Sequence, residues 1–279
     1  MPIVTFWSNT RKTTGQTIGV SSIATAMAMD YSYKILLISA DVNDNQMEKN
    51  FGIQQNNEGL LKSLMTSAPK MDLDSGIDGL LRLARTNRLA PELIKDYAKV
   101  IINNRLDVLY SPNLVGNDIN EMLSCLKKII MNSARYYDYV FVDLKKGINL
   151  QIIWEILDVS DIVIYNTSQT NEQMRNFIKY PKFQNMVENN KIIWLINKYD
   201  SDSKYDAKHI AKDIWKKDII YTIQYNTALF EATQEGRLAN FLLDIRSSKG
   251  KNKNSYILEE IRIIIKHIIN LFNEIQRNR

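Results

Sequence analysis

Short apolar runs rich in β-branched residues recur along the chain, at 3–7, 34–38, 106–110, 139–142, 162–165, 192–196 and 219–223, and each predicts a β-strand. Most are nearly continuous rather than alternating, the pattern of strands covered on both faces in a parallel sheet. Between them lie segments with helical spacing of apolar positions, among them 17–29, 119–134, 172–178 and 228–236. Strands alternating with helices predict an α/β fold, a doubly wound, mostly parallel sheet flanked by helices.

The last apolar pattern, at 257–275, is of a different kind. At about 100° per residue, Ile257, Leu258, Ile261, Ile264, Ile265, Ile268, Ile269, Leu271, Phe272 and Ile275 form one broad face. The opposite face mixes Glu259, Glu260 and Glu274 with Arg262, Lys266 and Arg277. Interfacial helices carry a basic polar face and aromatic anchors, and this one has a mixed face with a single Phe. Docking on the domain or at a dimer interface is therefore the expectation, with membrane contact through 256–279 as the alternative. The organisation expected is a domain over 1–246, a basic linker over 247–255 carrying Lys249, Lys251 and Lys253, and a C-terminal amphipathic helix over 256–279.

Composition narrows the field. The 279 residues are 45% hydrophobic and 24% charged, enough for a substantial core, and ten glycines and five prolines argue against a glycine-rich all-β protein. No apolar run approaches the roughly 18–20 residues needed to cross a bilayer, and the first ten residues lack a basic region followed by an apolar stretch. The expected location is the cytoplasm, with peripheral contact at the inner face of the membrane as a further option. A single cysteine, Cys125, excludes an internal disulfide framework; with only His209 and His267 beside it, no structural zinc ligand set exists. The net charge of +5 arises beyond residue 245, where eight basic residues face three acidic ones, so residues 1–245 balance. A main body without net charge gives no support to a broad DNA-binding surface.

Doubly wound sheets bind ligands at the carboxyl ends of their strands, and the first strand-to-helix turn is the usual phosphate site. That turn runs Ser8-Asn9-Thr10-Arg11-Lys12-Thr13-Thr14-Gly15-Gln16-Thr17, ahead of a helix of small residues including Gly19, Ser21, Ser22, Ala24, Ala26 and Ala28. A phosphate loop needs glycines that let backbone N–H groups curl around the anion, a lysine for the β- and γ-phosphates and a Ser or Thr for magnesium. Gly15 and Thr17 are in place, but Gln16 stands at the lysine and Thr10 at the first glycine.

With the motifs that follow, the chain resembles the ParA/MinD superfamily of deviant P-loop ATPases, of the SIMIBI type, whose loop reads KGGxGKT. On that motif Arg11 falls at the signature lysine, Lys12 and Thr13 at two glycines, and Gln16 at the P-loop lysine. Ser39-Ala40-Asp41 corresponds to the family's Asp-x-Asp with only the second aspartate kept, and Val140-Phe141-Val142-Asp143 ends in the magnesium-side aspartate. The family's diproline is replaced by Lys145-Lys146 before Gly147, and Val159-Ser160-Asp161-Ile162 is close to its next strand. Asn197-Lys198-Tyr199-Asp200 resembles the element whose Asn reads adenine. Ile223-Gln224-Tyr225-Asn226 and Leu109-Tyr110-Ser111-Pro112 are similar to the TadZ/CpaE branch, which helps to position pilus and secretion machinery. The resemblance covers roughly residues 2–245.

What it implies is a nucleotide site formed by Arg11, Lys12, Thr13, Thr14, Gly15, Gln16, Thr17, Ile18 and Asn197, with Thr17, Asp41 and Asp143 holding Mg2+ if ATP or ADP binds. It also implies a homodimer with protein partners in an envelope assembly. A neutral amide at position 16 cannot replace an ammonium charge on a transferring phosphate, so hydrolysis is expected to be absent or very weak. The rival readings are an active partition ATPase that binds DNA non-specifically and a membrane-cycling ATPase of the MinD kind.

Overall fold

The structure, a computed structural model, describes residues 1–9, 14–41, 45–53, 76–111, 123–144, 149–170, 181–189, 191–212, 220–248 and 251–277. In chain order the elements are β1 (Ile3–Trp7), α1 (Gln16–Asp30), β2 (Ile35–Ser39), α2 (Gln46–Asn50), α3 (Gly76–Arg85), α4 (Ile94–Tyr97), β3 (Lys99–Ile102) and β4 (Leu106–Leu109). There follow α5 (Leu126–Ser133), β5 (Tyr139–Leu144), α6 (Leu150–Val159), β6 (Ile162–Thr167), α7 (Pro181–Glu188) and β7 (Ile192–Tyr199). The chain closes with α8 (Ala207–Lys212), β8 (Ile220–Gln224), α9 (Thr227–Gln234), α10 (Leu238–Ser247) and α11 (Ser255–Arg277).

The strands form one sheet in the order β3-β4-β2-β5-β1-β6-β7-β8, parallel throughout except for β3, which pairs antiparallel with β4. β1 lies in the middle, with β5 and β2 on one side and β6 and β7 on the other. The chain thus reverses its direction of winding beside β1, which opens a crevice at the carboxyl ends of β1, β5 and β6. Apolar residues cover both faces: Trp7, Tyr165 and Trp194 lie in one core, and Phe6, Phe141 and Ile193 in the other. This explains the continuous apolar runs in the sequence. β3 was not legible as a strand, because its residues are exposed or half-buried at the edge and Val100 is 55% exposed. The helix expected over 172–178 lies outside the described residues, as do residues 119–122 of the one expected over 119–134.

α1 is buried on nearly every side, which is why it is built from Gly, Ser, Ala and Thr with few long side chains. One flank rests on the sheet and another on α11, whose Ile257, Leu258, Ile261, Ile264, Ile265, Ile268, Leu271 and Phe272 are buried in the same core. An acid at a helix C-terminus opposes the helix dipole, yet α1 ends in Asp30. Two guanidinium groups offset this: Arg246 Nε donates to Asp30 Oδ1 at 2.9 Å and Arg262 Nε to Oδ2 at 2.7 Å. The carboxylate also raises the pKa of Arg262. α10 and α11 are thereby tied to the end of the helix that starts at the phosphate loop. Among the described residues no helix is long and apolar enough to cross a membrane.

Because Ile264 is fully buried and its neighbour Ile263 is 55% exposed, the two report on this packing separately. Ile264→Ala is expected to cost about 2–5 kcal/mol in urea unfolding, and Ile263→Ala less than about 0.5 kcal/mol. Equal effects would contradict the docking of α11.

Candidate functional site

Three residues meet where β1 hands over to α1. Asp143 is the fifth residue of β5 and is fully buried between the ends of β1 and β2, paired with Phe6 and Ser39. Its Oδ1 accepts a 2.6 Å hydrogen bond from Gln16 Nε2, and its Oδ2 accepts from Thr17 Oγ1 at 2.8 Å. Gln16 Nε2 also lies 3.1 Å from the carbonyl oxygens of Phe6 and Leu144. Two N–H bonds thus serve three acceptors, and the residue is 5% exposed. The side chain at position 16 points back into the sheet and bonds the carboxylate. Charge-assisted contacts of this length are the strong kind.

Toward β2, Ser39 is buried and its hydroxyl shares a 2.6 Å hydrogen bond with Ser111 Oγ, while the Ser111 N–H donates to Glu48 Oε1 at 2.6 Å. Where the family resemblance calls for a first aspartate, this chain has a hydroxyl tied to β4. Asp41 follows one residue past Ala40, whose N–H donates to the Asp143 carbonyl at 3.0 Å, so it stands near the end of β5. Arg11, Lys12 and Thr13 lie outside the described residues. Thr14 is buried beside them.

On the other flank, Gly15 and Gly19 lie one helical turn apart and face the end of β7. A Cβ on Gly19 would lie 2.3 Å from Asn197 Oδ1, and one on Gly15 would lie 3.1 Å from Asn197 Cβ. Only hydrogen at both positions lets β7 come so close, and Gly15 also adopts φ +68°, a conformation that favours glycine. Asn197 Nδ2 donates to Asn166 Oδ1 at 2.8 Å, and Asn166 Nδ2 is itself fixed on the Ile164 carbonyl at 3.0 Å. That network turns Asn197 Oδ1 toward Gly19, where among the described residues it has no hydrogen-bond partner. Ser22 Oγ, one turn further along α1, is likewise buried without a partner.

Both line a cleft of ≈ 390 Å³, open solvent included, walled also by Ile18, Lys198, Tyr225 and Phe230. Its lining is mostly apolar. Gly15, Ile18 and Asn197 therefore sit on this side of α1, and Gln16, Thr17 and Asp143 on the other.

The donor set fits a magnesium ion that arrives with a phosphate. Thr17 Oγ1 keeps acceptor capacity after donating to Asp143 and would be the residue to hold such an ion, with Asp143 behind that hydroxyl. No group of three or more His, Cys, Asp or Glu side chains able to hold a metal exists among the described residues, so phosphate oxygens and water must complete any coordination shell. Residues not foreseen from sequence are Gly19, Ser22, Asn166, Lys198, Tyr225 and Phe230. The spacing of Gly15 and Gly19 by four was the one available signal for the close approach of β7.

The Gln16–Asp143 contact has a direct test. Gln16→Glu sets a second carboxylate against a buried one and is expected to cost about 3 kcal/mol or more at neutral pH. Gln16→Lys keeps a donor and is expected to stay within about 1 kcal/mol of the native midpoint in denaturant titrations.

No family model matches the chain, and no characterised protein sequence matches it. Solved structures do. A ParA family ATPase from Chlorobium tepidum TLS superposes with a TM-score of 0.66 at 17% identity, over 92% of this chain and 96% of the other. The septum site-determining protein MinD of Pyrococcus horikoshii OT3, complexed with Mg-ADP, gives 0.63 at 15% identity over 93% of each chain. A chain of the MinC:MinD cell division protein complex of Aquifex aeolicus gives 0.64 at 17% identity, over 95% and 96%. With its central β1, phosphate-loop helix and eight-stranded, mostly parallel sheet, the chain has the fold of the ParA- and MinD-type ATPases.

Proposed function

We propose that this chain is a positioning or scaffold protein of the TadZ/CpaE kind, serving a pilus- or secretion-type assembly. It binds ATP or ADP with magnesium and hydrolyses ATP weakly or not at all. The observation that carries the reading is Gln16, whose amide is engaged by Asp143, Phe6 and Leu144 at the position of the P-loop lysine. The backbone of Thr14, Gly15, Gln16, Thr17 and Ile18 opens α1 without a side-chain cap or an acid in its first turn, which leaves N–H donors and a favourable dipole for phosphates. Thr17 holds magnesium directly, with Asp143 behind it and Asp41 beside it. Asn197 Oδ1 is an acceptor without a donor, and the exocyclic amine of adenine supplies one. Arg11, Lys12 and Thr13 complete the loop.

Binding and turnover separate in such a site. Backbone donors and the helix dipole hold an anion in its ground state, whereas transfer needs charge at the leaving and transferring oxygens. Losing one preorganised donor to developing charge costs a factor of about 10²–10³ in rate. Homodimerisation then rests on constitutive side-chain contacts rather than on a γ-phosphate switch. The partition reading requires DNA affinity that falls steeply with salt, which a main body without net charge disfavours. The membrane-cycling reading requires the apolar face of α11 to leave the core, at about 1.5–3 kcal/mol for each large side chain exposed.

The test is calorimetric titration of ATP and ADP with magnesium, with phosphate release and oligomeric mass measured on the same samples. Binding of both nucleotides by a dimer, with phosphate release at the buffer rate, is expected. Gln16→Lys should tighten binding without restoring full activity, since Ser39 is unchanged. Robust turnover abolished by Thr17→Ala or Asp143→Ala would overturn the reading.

A further inference from the structure

We infer that Lys198 supplies the positive charge for nucleotide phosphate that position 16 lacks, and that it acts from the base side of the loop. The inference rests on the nucleotide reading above and concerns a residue outside the set that the sequence assigned to the site.

β7 carries an irregularity between Asn197 and Tyr199 in its pairing with β8, and Lys198 occupies it with φ +53°, a left-handed conformation unusual for a residue with a side chain. The bulge turns Asn197 toward α1 and sends the next side chain over Gly15. A methyl group on Gly15 would meet Lys198 Cγ at 3.3 Å and Cε at 3.4 Å, so the aliphatic stem lies flat over the glycine that begins α1. Among the described residues the ammonium makes no hydrogen bond, ion pair or ring contact, and Lys198 is exposed on the cleft wall.

Two sources of positive potential therefore meet at Gly15: the uncapped N-terminus of a 15-residue helix and a lysine held over it. Beside them Asn197 Oδ1 and Ser22 Oγ, in residues 6% and 0% exposed, line the cleft without partners. A ligand with an anion at one end and polar base edges at the other matches both halves, which is the chemistry of a purine nucleoside diphosphate or triphosphate. Lys198 reaches the loop from β7 rather than from α1. It neutralises phosphate on the base side and brings no charge of its own to the terminal phosphate, so its contribution to ADP and ATP is similar.

The experiment compares magnesium-ADP, magnesium-ATP and adenosine binding to the native chain, Lys198→Met, Lys198→Gly and Lys198→Arg. The glycine variant removes the charge while fitting the left-handed backbone, which guards against misfolding of the Met variant. Met and Gly are expected to weaken ADP and ATP binding about tenfold while leaving adenosine unchanged, and Arg to retain most of the affinity. The salt dependence of ADP affinity should flatten in the Met and Gly variants. Native binding of ADP that neither Met nor Gly weakens would overturn the role of Lys198 alone. An equal loss of adenosine affinity would do the same, since it marks a collapsed cleft rather than a lost charge. Failure of the native chain to bind ADP or ATP would overturn the nucleotide reading and this inference with it.

Discussion

The bond between Gln16 Nε2 and Asp143 Oδ1 sits where the molecule has least freedom to change. It joins the first residue of α1 to β5, at the strand ends flanking β1 in the middle of the sheet, and both residues are almost wholly buried. A buried carboxylate must be satisfied on both oxygens or it destabilises the fold, and this one is met by an amide and a hydroxyl from consecutive positions. In a phosphate-transferring site that carboxylate faces a mobile cation and a metal. Here a neutral, well-packed amide is one of its partners. The same contact that keeps the sheet ends in order thus holds the side chain of position 16 inside them.

From that point the two flanks of α1 follow different constraints. Toward β5 and β2 the side chains are short, polar and mutually bonded, with Ser39 tied to Ser111 and Ser111 to Glu48. Toward β7 the constraint is the absence of side chains: Gly15 and Gly19 admit Asn197 and Lys198 to van der Waals contact, and the cleft opens beyond them. At the far end of α1, Asp30 is held by Arg246 and Arg262, so α10 and α11 fix the helix whose first turn meets β5. A helix anchored in this way is a rigid platform, suited to holding a ligand in place.

Much of the fold was legible because it depends on periodicity. Strands buried on both faces appear as continuous apolar runs, and β1 was found at its observed limits. β3 was missed because an exposed edge strand has no apolar face to announce it. Gln16 and Thr17 were singled out from the first turn and Asp143 from a later strand motif, and their contact follows from the register of β1 with β5. Lys198 lies inside a motif read for its Asn, but its placement, like that of Ser22, could not be found in that way. The role of Lys198 depends on a left-handed bulge and a neighbouring glycine distant in sequence, and that of Ser22 on a missing partner, which only three dimensions reveal.

The most direct measurement is a crystal structure of the chain with magnesium and a non-hydrolysable ATP analogue. The account requires Gln16 Nε2 to remain within hydrogen-bonding distance of Asp143, with the base in the cleft beside Asn197 and no cation from position 16 on the terminal phosphate. A Gln16 side chain swung out onto the β- and γ-phosphates, leaving Asp143 to another partner, would contradict it.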